Sequence, residues 1–421
     1  MASMSSGGAS AATLSEFNRS QIMRVLYRSE VCSRAHIARE LGLTPASITQ
    51  IVAQLIELGL VRESGNLKGR ARSRAIGVAI AADRFRVLAV KFGRGRTEAG
   101  VFDLSGVLAY KTHEYIHWDY ELDADSSEII ASLKNWIESH LLSDPSIVAI
   151  GMAVPGPYLR DEGRMADIVP GVWNGVNFID EFRAAFNVPV FIEQDARAGV
   201  LAQYMFSSIG GKEKGLAYML LGEGVGIGVM EGDVIINGVS GLATEIGHMS
   251  IDVHGRACPC GGVGCLEQYC SMHAMLEQVA DDMPELLKGL DPRERSYRRS
   301  ICLKVFELAD QGDVRAGKIV DDIAVYVGHA CVMAINAYDP GVVVLGDVMV
   351  HGGRRLLERV RAVVSTYGMR GVSGVTRIIL NELPIDPVLC GAAAVAIQAF
   401  LDKPTRFAEL RMAAEGHRHR I

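Results

Sequence analysis

The chain has 421 residues, of which 49% are hydrophobic and 22% charged, and its formal net charge is −6. This composition is typical of a globular protein, and the length allows two or three domains. The sequence shows no apolar run near the roughly 18–20 residues that span a bilayer, and the N-terminal stretch MASMSSGGASAATLSEF lacks the regions of a signal peptide. We therefore expect a protein of the reducing cytoplasm, without a membrane partner, in which stable disulfides are rare.

Charge is distributed unevenly along the chain. Residues 1–80 contain ten Lys or Arg and five Asp or Glu, so they carry +5, whereas the remaining residues carry −11. A basic head on an acidic body favours a nucleic-acid contact confined to the head. The alternative is a charged surface that is lopsided by chance, and charge alone does not decide between the two.

Two short helices joined by a tight turn are predicted within residues 33–61. The first ends at Gly42, a residue that terminates helices and turns the chain. Thr44 followed by Pro45 predicts the start of the second helix, whose apolar residues repeat at the spacing of a buried stripe. A further amphipathic helix is predicted before this pair, over residues 14–26.

This arrangement is a helix-turn-helix unit, whose second helix usually enters the major groove by its N-terminal end. A basic stretch follows and predicts a β-hairpin wing with its tip at Gly65–Asn66. The residues expected to contact base edges, phosphates or the minor groove are Arg34, Thr44, Ala46, Ser47, Thr49, Gln50, Lys68, Arg70, Arg72 and Arg74. A helical protein-interaction module is the alternative. The cap, turn, wing and positive charge together favour a winged helix-turn-helix domain over residues 1–80.

From about residue 81 the sequence alternates apolar strands with helical segments. Strands are predicted within residues 86–106, 146–157, 188–195, 216–241 and 342–347, and they lead into polar or glycine-rich loops. Such alternation predicts an α/β body. Ligands in folds of this class bind at the ends of strands.

One histidine and three cysteines have the spacing of a metal site. His248, Cys258, Cys260 and Cys265 follow the pattern H-x9-C-x-C-x4-C and offer a soft set of four ligands suited to tetrahedral zinc. Cys258 and Cys260 are too close in sequence for an unstrained disulfide. Because four protein ligands leave no open coordination position, the sequence predicts a structural zinc ion. Buried free thiols are the alternative. The remaining cysteines, expected in the core, are Cys32, Cys270, Cys302, Cys331 and Cys390.

The stretches VPGP, EQDARAG, LGEGVGIGVMEG and EIGHMSIDVHGRACPCGGVGCLEQYCS make the body similar to the ROK family of bacterial sugar kinases and sugar-responsive repressors. The resemblance extends over about residues 14–400 and is greatest to repressors of the N-acetylglucosamine, glucose and xylose type. It implies a winged head and a two-lobed body, residues 81–421, with the actin–hexokinase fold and the same four zinc ligands. Lobe one is then expected over about 81–194 with a C-terminal helix at about 388–403, and lobe two over about 195–387.

The resemblance also implies a sugar site in the cleft between the lobes. In the family, the glutamates of the ExGH and GCxE motifs and the motif histidine contact sugar hydroxyls. The corresponding residues here are Glu245, Glu267 and His248. Without the resemblance, each glutamate would be interpreted as an ordinary surface residue.

Two further segments complete this expected site. The family's kinases use the aspartate of an Asn-Asp pair as general base, and the pair here is Gln194-Asp195, so Asp195 is expected to be vestigial. Gln194 stands where the family has asparagine, and this substitution changes how far the side chain of one sugar contact extends. Trp173 and Asn174 occupy the position of another sugar-side loop, although an aromatic side chain there is equally typical of the core.

The nucleotide side of the cleft distinguishes an enzyme from a regulator. Family kinases have an Asp-x-Gly-x-Thr loop in which the aspartate manages Mg²⁺. Here the loop reads KFGRGRT, with Lys91 at the position of the aspartate and with Arg94 and Arg96 in the turn. Lysine cannot coordinate Mg²⁺, although the basic residues of this loop still allow an anion such as phosphate to bind there. Glu223 adds negative charge to the second glycine-rich loop.

These features predict a sugar-responsive transcriptional regulator that is not an enzyme. As a repressor, it would bind double-stranded operator DNA as a homodimer or homotetramer, with a sugar or sugar phosphate in the cleft. The alternatives are an active ATP-dependent sugar kinase with a DNA-binding head, and a body that docks a protein partner.

Overall fold

The computed structural model describes residues 11–66, 76–93, 96–117, 126–166, 173, 175–209, 211–290, 297–369 and 374–418. The described chain forms a small N-terminal head followed by a body with two five-stranded sheets. The predicted fold class, a winged head on a two-lobed α/β body, is confirmed.

Within its described residues, 11–66 and 76–80, the head contains three helices and a three-stranded sheet of order β1-β3-β2. In chain order its elements are α1 (Ala11–Ser29), β1 (Cys32–Ser33), α2 (Arg34–Leu41), α3 (Pro45–Glu57), β2 (Val61–Asn66) and β3 (Ile76–Ile80). The turn between α2 and α3 forms as predicted, because Gly42 adopts φ 63° and the Thr44 side chain accepts a hydrogen bond from the Ser47 N–H. The fully buried core of the head includes Ile22, Val25, Ile37, Ile48, Val52 and Leu55.

The wing differs from its prediction at one point. Gly65 and Asn66 lie inside strand β2, and Asn66 is paired with Ile76 of β3. The register shifts between Glu63 and Asn66, and Gly65 has φ 78°. A glycine with positive φ inside a strand pair is typical of a β-bulge, so this glycine bends the strand rather than forming the tip. The tip falls outside the described residues.

Lobe one is built on a sheet of order β10-β7-β4-β5-β6. Its elements are β4 (Arg86–Phe92), β5 (Arg96–Asp103), β6 (Leu108–His117), α4 (Ser126–Ser143), β7 (Ile147–Val154), β8 (Tyr158–Leu159), β9 (Arg164–Met165), α5 (Phe178–Phe182) and β10 (Val190–Gln194). Strands β4, β5 and β6 are antiparallel, whereas β7 and β10 continue the sheet in parallel. Strand β7 is buried along its whole length, as expected for a central strand covered on both faces.

Helix α6 (Asp195–Phe206) follows lobe one and leads into lobe two, whose sheet has the order β13-β12-β11-β14-β15. The elements of lobe two are β11 (Gly215–Leu221), β12 (Val225–Glu231), β13 (Val234–Ile235), α7 (Glu267–Cys270), α8 (Met272–Asp282), α9 (Arg298–Asp310), α10 (Val314–Tyr338), β14 (Val342–Gly346), α11 (Gly353–Tyr367) and β15 (Arg377–Leu380). Both sheets fall within the residue ranges predicted for the two lobes; the limits of the lobes stay a prediction.

Helix α10 is long and apolar enough to cross a membrane by length and composition alone. Among the described residues it is the one helix that reaches that length and composition, and most of its apolar window is buried inside the protein. Ile319, Ile323 and Val327 on this helix are fully buried in the core of lobe two. These contacts are those of a core helix.

Helices α12 (Pro387–Asp402) and α13 (Pro404–Arg418) end the described chain. Asp386 caps α12 by accepting hydrogen bonds from the N–H groups of Val388 and Leu389 at 2.9 and 3.1 Å. The helix packs against α6 and against strands β4 and β7. Its observed limits agree with the helix expected at about 388–403, so the C-terminal segment lies beside the first sheet although it is distant in sequence.

Candidate functional site

The N-terminal end of helix α3 presents polar and small side chains to solvent. Ala46, Thr49 and Gln50 are exposed, whereas Ser47 is half-buried. The Thr44 and Ser47 hydroxyls lie 2.8 Å apart, and the Thr49 hydroxyl donates to the Pro45 carbonyl at 2.8 Å. The opposite face of the helix is buried in the head. The fold therefore brings together on one accessible surface the residues that the sequence predicted for base contacts.

The expected phosphate contacts are only partly described. Arg34 begins helix α2 and pairs with Glu63 of β2 at 2.8 Å, so its charge is partly balanced within the head. Lys68, Arg70, Arg72 and Arg74 lie outside the described residues.

The four residues predicted as metal ligands converge in space. The ligand atoms of His248, Cys258, Cys260 and Cys265 all lie within 4.8 Å of one another. His248 Nδ1 is 3.7 Å from Cys258 Sγ, and the sulfur atoms of Cys260 and Cys265 are 3.6 Å apart. Two thiolates on a tetrahedral zinc ion are separated by about 3.8 Å, because Zn–S bonds are about 2.3 Å long. The spacing and chemistry of these donors therefore fit zinc.

The loop that carries the cysteines is held by backbone contacts. Residue pairs Ser250–Cys265 and Ala257–Val263 form isolated antiparallel bridges. A Cβ atom at Gly264 would lie 1.7 Å from the Asp252 carbonyl oxygen, so glycine is required at this crossing of the chain. Burial raises the pKa of the Cys265 thiol to about 12. A thiol in this state becomes a ligand only when a cation supplies compensating charge.

Several residues of the expected sugar site meet at the turn between β11 and β12. A Cβ atom at Gly247, inside the motif that contains Glu245 and His248, would lie 2.1 Å from the Val225 carbonyl oxygen. Glu267 is 8% exposed, and its Oε2 accepts a hydrogen bond from the Val225 N–H at 2.9 Å. The ExGH motif, the GCxE glutamate and the glycine-rich turn are therefore in direct contact.

The N-terminus of α6, which directly follows strand β10 of lobe one, approaches the same turn. Gln194 caps α6 by accepting from the Arg197 N–H at 2.9 Å, and its Nε2 is 3.7 Å from the Cβ position of Gly226. Asp195 is half-buried and accepts from the Ala196 N–H at 2.7 Å. Gln194 therefore lies beside the glycine-rich turn, and Asp195 follows it as the first residue of α6.

Arg197 is a charged residue of this region that sequence reasoning missed. Its side chain is fully buried, and it donates to Glu193 at 2.8 Å and to the Gly241 carbonyl at 2.7 Å. Burial lowers the pKa of Arg197, and the negative charges of Glu245 and Asp195 act in the opposite direction. The carboxylates of Glu245 and Asp195 therefore both interact electrostatically with the Arg197 guanidinium. An arginine in a helix gives no sequence signal that it will be buried.

Trp173 does not line the cleft. Its side chain is 1% exposed and packs edge-on against Phe92, and its indole N–H donates to the Gly93 carbonyl at 3.3 Å. An indole enclosed by aromatic core residues has no surface left for a ligand, so the core interpretation replaces the expected sugar contact. Asn174 lies outside the described residues.

Lys91, near the end of strand β4, forms a largely buried ion pair. Its ammonium is 2.7 Å from the Asp386 carboxylate, and the two side chains are 15% and 17% exposed. Burial acts to lower the pKa of Lys91, but the negative charge of Asp386 and of neighbouring carboxylates raises it above its usual value. Burial acts to raise the pKa of Asp386, and the charge of Lys91 lowers it overall. Both groups are therefore ionised at neutral pH.

Two further arginines near the second glycine-rich loop are also paired. Arg299 is 2.5 Å from Asp347, and Arg298 is 3.5 Å from Glu223. Asp347 directly follows strand β14, and its Oδ2 lies 2.2 Å from the Cβ position of Gly222. These arginines and Asp347 were missed by the sequence reasoning, although a polar residue after an apolar strand is a signal for Asp347. Arg94 lies outside the described residues, and Arg96 begins β5.

Comparison with known proteins places both parts of the chain. The sequence profile described as "ROK family" matches residues 87–399, and the profile described as "MarR family" matches residues 16–71. The N-acetylglucosamine repressor of Escherichia coli O6:H1 is 25% identical over 390 residues, which cover 92% of this chain and 94% of the relative.

Two solved structures share the fold. A ROK family transcriptional regulator, described as a homologue of the E. coli MLC protein, superposes with a TM-score of 0.75 at 22% identity and covers 95% of this chain and 98% of its own. A ROK family glucokinase from Streptomyces griseus, solved with glucose and AMPPNP, has a TM-score of 0.62 at 22% identity and covers 74% of this chain and 99% of its own. With a profile match over most of its length, two lobes that assemble at a glycine-rich turn and a converging His-Cys cluster, this chain belongs to the ROK family.

Proposed function

We propose that this protein is a sugar-responsive transcriptional repressor. The observation that carries the proposal is the exposed face at the start of α3, where Ala46, Thr49 and Gln50 point to solvent on a winged head. A helix-turn-helix domain reads the major groove from this position. Similarity to a repressor over nearly the whole chain supports the same conclusion.

The DNA contacts divide by chemistry. Base edges are read by small and hydroxyl side chains and by the Gln50 amide, which can pair with adenine. Phosphates are contacted by Arg34 and by the basic residues of the wing, Lys68, Arg70, Arg72 and Arg74. Two heads on a palindromic operator require a homodimer or homotetramer, acting in the cytoplasm on double-stranded DNA.

The effector site lies at the turn between β11 and β12, between the two lobes. Gln194 and Glu267 contact the start of β12, Asp195 begins the adjacent helix α6, and Glu245 and His248 flank Gly247, which packs against Val225. Carboxylates and imidazole suit the hydroxyl groups of a sugar or sugar phosphate. His248 directs Nδ1 toward Cys258, which leaves Nε2 for a ligand hydroxyl. Asp195 serves here as a hydrogen-bond acceptor for the effector.

We infer that His248, Cys258, Cys260 and Cys265 hold a structural zinc ion. The ion would supply positive charge that keeps the three thiols deprotonated, and it would fix the loop between β13 and α7. Because Glu267 follows Cys265 by two residues and His248 belongs to the ExGH motif, metal binding also positions two of the proposed sugar contacts.

Loss of kinase activity is part of the proposal. The nucleotide side has an ammonium where the family's kinases have an aspartate, and Lys91, Arg298 and Arg299 are each paired with a carboxylate. An ammonium offers no lone pair, so Lys91 cannot hold Mg²⁺. The competing function, an active sugar kinase, is favoured by Asp195 and by the retained glycine-rich loop.

In vitro selection from a randomised duplex library, followed by mobility-shift titration, tests the proposal. We expect one palindromic sequence to be enriched, to bind less tightly as salt rises, and to be released by one member of a panel of hexoses, pentoses, amino sugars and their phosphates. A library with no enriched sequence contradicts the DNA-binding function. ADP release with any sugar of the panel contradicts the loss of kinase activity.

A further inference from the structure

The head and lobe one share one continuous hydrophobic core. Ile22 and Leu26 of α1 belong to the same cluster of buried residues as Phe85, Phe400 and Phe407 of the body. The rings of Phe85 and Phe400 have centroids 5.2 Å apart, as do those of Phe400 and Phe407. Domains joined by a flexible linker have separate cores. The head is therefore packed onto the body rather than tethered to it.

Polar contacts extend this junction to the DNA-reading helix. Arg24 of α1 forms an ion pair with Asp402, the last residue of α12. Thr405, in the first turn of α13, donates to Glu16 of α1 through its N–H at 3.2 Å and its hydroxyl at 2.6 Å. Arg19 of α1 donates to that hydroxyl at 3.3 Å and to Gln54 of α3 at 2.9 Å. One arginine thus contacts both the body and the helix proposed to read DNA.

The opposite end of α12 lies at the cleft. Its cap residue, Asp386, uses one carboxylate oxygen to accept from the first N–H groups of the helix and the other to pair with Lys91. A helix of 16 residues is about 24 Å long. Helix α12 therefore begins at the Lys91–Asp386 ion pair, on the side of the body that the family resemblance assigns to the nucleotide, and ends at the head.

Along its length α12 touches its neighbours backbone to backbone. A Cβ atom at Gly391 would lie 2.1 Å from the carbonyl oxygen of Ala198 in α6, and one at Gly151 of β7 would lie 1.8 Å from that of Ala392. Helix α6 begins at Asp195, in the proposed effector site. Because no side chain separates these backbones, a shift of α6 cannot be absorbed by a rotamer change and has to move α12.

From these contacts we propose that α12 couples the cleft to the DNA-binding head, and that α12, α6 and the head form one cooperative unit. A displacement of α6 or of Asp386 reaches α1 through Phe400 and Asp402, and reaches α3 through Arg19. The biological role of this coupling rests on the proposed repressor function, but the coupling itself is a property of the folded chain and can be measured without DNA or sugar.

Hydrogen–deuterium exchange on the full-length protein, read by mass spectrometry, tests the coupling. Asp386→Asn keeps an oxygen that caps α12 and removes the charge that pairs with Lys91. We expect amides of α1, at the far end of α12, to exchange about three- to tenfold faster, while amides of α10 in lobe two are unchanged. Asp402→Asn tests the same coupling from the C-terminal end of α12, where it weakens the ion pair with Arg24 at an exposed residue. This variant should accelerate amide exchange in the first two turns of α12.

The matched control is Asp313→Asn. Asp313 caps α10 by accepting from the N–H groups of Arg315 and Ala316 at 2.8 and 3.1 Å, the same arrangement as at Asp386. This variant should leave exchange in α1 at the wild-type rate. Unchanged exchange in α1 of Asp386→Asn overturns the proposal, whether or not α12 itself loosens. Equal acceleration by both variants also overturns it, because general destabilisation would then explain the effect. Neither result bears on whether the head binds DNA.

Discussion

Glu267 and Val225 are joined by a hydrogen bond in which the Glu267 carboxylate accepts from the Val225 N–H at 2.9 Å. The bond connects the loop that carries the cysteines to the turn between β11 and β12. The two bonded residues are 42 positions apart in the sequence. Both residues are buried, with 8% and 5% of their surfaces exposed. The proposed metal site and the proposed effector site are therefore in direct contact.

Replacing Glu267 by Ala should destabilise the protein. The buried Val225 N–H would lose its acceptor, and an unsatisfied buried donor costs about 1–3 kcal/mol. Urea unfolding monitored by circular dichroism measures the change. Glu267→Gln retains an acceptor oxygen and should recover most of the loss, whereas Glu307→Ala, at an exposed residue of α9, should behave as wild type. Equal stability of Glu267→Ala and wild type would show that the bond is unimportant.

Zinc should be present at one ion per chain and should be lost in Cys258→Ala. Structural zinc sites contribute on the order of 10 kcal/mol to the folding of the segments that they hold. We therefore expect a lower melting temperature and a weaker response to the effector, since Glu267 and His248 lose their anchor. Elemental analysis of the purified protein gives the metal content directly. Cys302→Ala removes a buried thiol outside the cluster and should retain the metal; a zinc-free wild-type protein that melts cooperatively would contradict the assignment.

Lys91→Met should destabilise lobe one by about 2–4 kcal/mol, because it leaves the Asp386 carboxylate largely buried without its partner. The pKa of Asp386 is lowered in the folded state, so the pair contributes stability above the unfolded pKa of about 4 and loses it as the pH falls further. The pKa of Lys91 is raised, so the contribution is complete below about pH 10 and is lost only at higher pH. Stability measured between pH 3 and 10 should therefore drop at the acidic end in wild type, with a smaller drop in Lys91→Met. Identical profiles for the two proteins would argue against the pair.

Gln50→Ala should reduce affinity for the selected operator by about 1–3 kcal/mol and relax specificity at one base pair. The salt dependence of the variant's operator affinity should match that of wild type, because the Gln50 amide contacts a base rather than a phosphate. Fluorescence anisotropy at several salt concentrations measures both quantities. Glu57→Gln, at the other end of α3, serves as the matched control and should not relax specificity. A Gln50→Ala protein with unchanged specificity would place base recognition elsewhere.

Gly151→Ala should be strongly destabilising, although alanine is generally tolerated in strands. The added methyl group would lie 1.8 Å from the Ala392 carbonyl oxygen, and overpacking of this kind costs about 1–3 kcal/mol or more. At Gly374, no atom of the part of the chain that the structure describes lies within 4 Å of the Cβ position, so Gly374→Ala should leave the melting temperature unchanged. Thermal unfolding of the two variants side by side measures the difference, and equal melting temperatures would show that α12 can move away from β7.

Local signals accounted for much of what the sequence predicted correctly. Thr44 and Pro45 mark the start of α3 because a cap and its helix are neighbours in the chain. The spacing of Cys258, Cys260 and Cys265 limits their separation to the reach of one loop, so their convergence followed from sequence. Gly65 shows the limit of such signals, since a glycine with positive φ serves a turn tip or a bulge equally well.

By itself, the sequence determined the winged head, the alternating body, the His-Cys cluster of the proposed metal site and the absence of an aspartate at residue 91, because each depends on residues close together in the chain. Tertiary structure decided that Lys91 pairs with Asp386, 295 residues away, and that Trp173 is enclosed in the core. It also decided that the head shares its core with α12. The physical reason is that burial and the pairing of buried charges depend on which distant segments are packed together, and no local pattern specifies that choice.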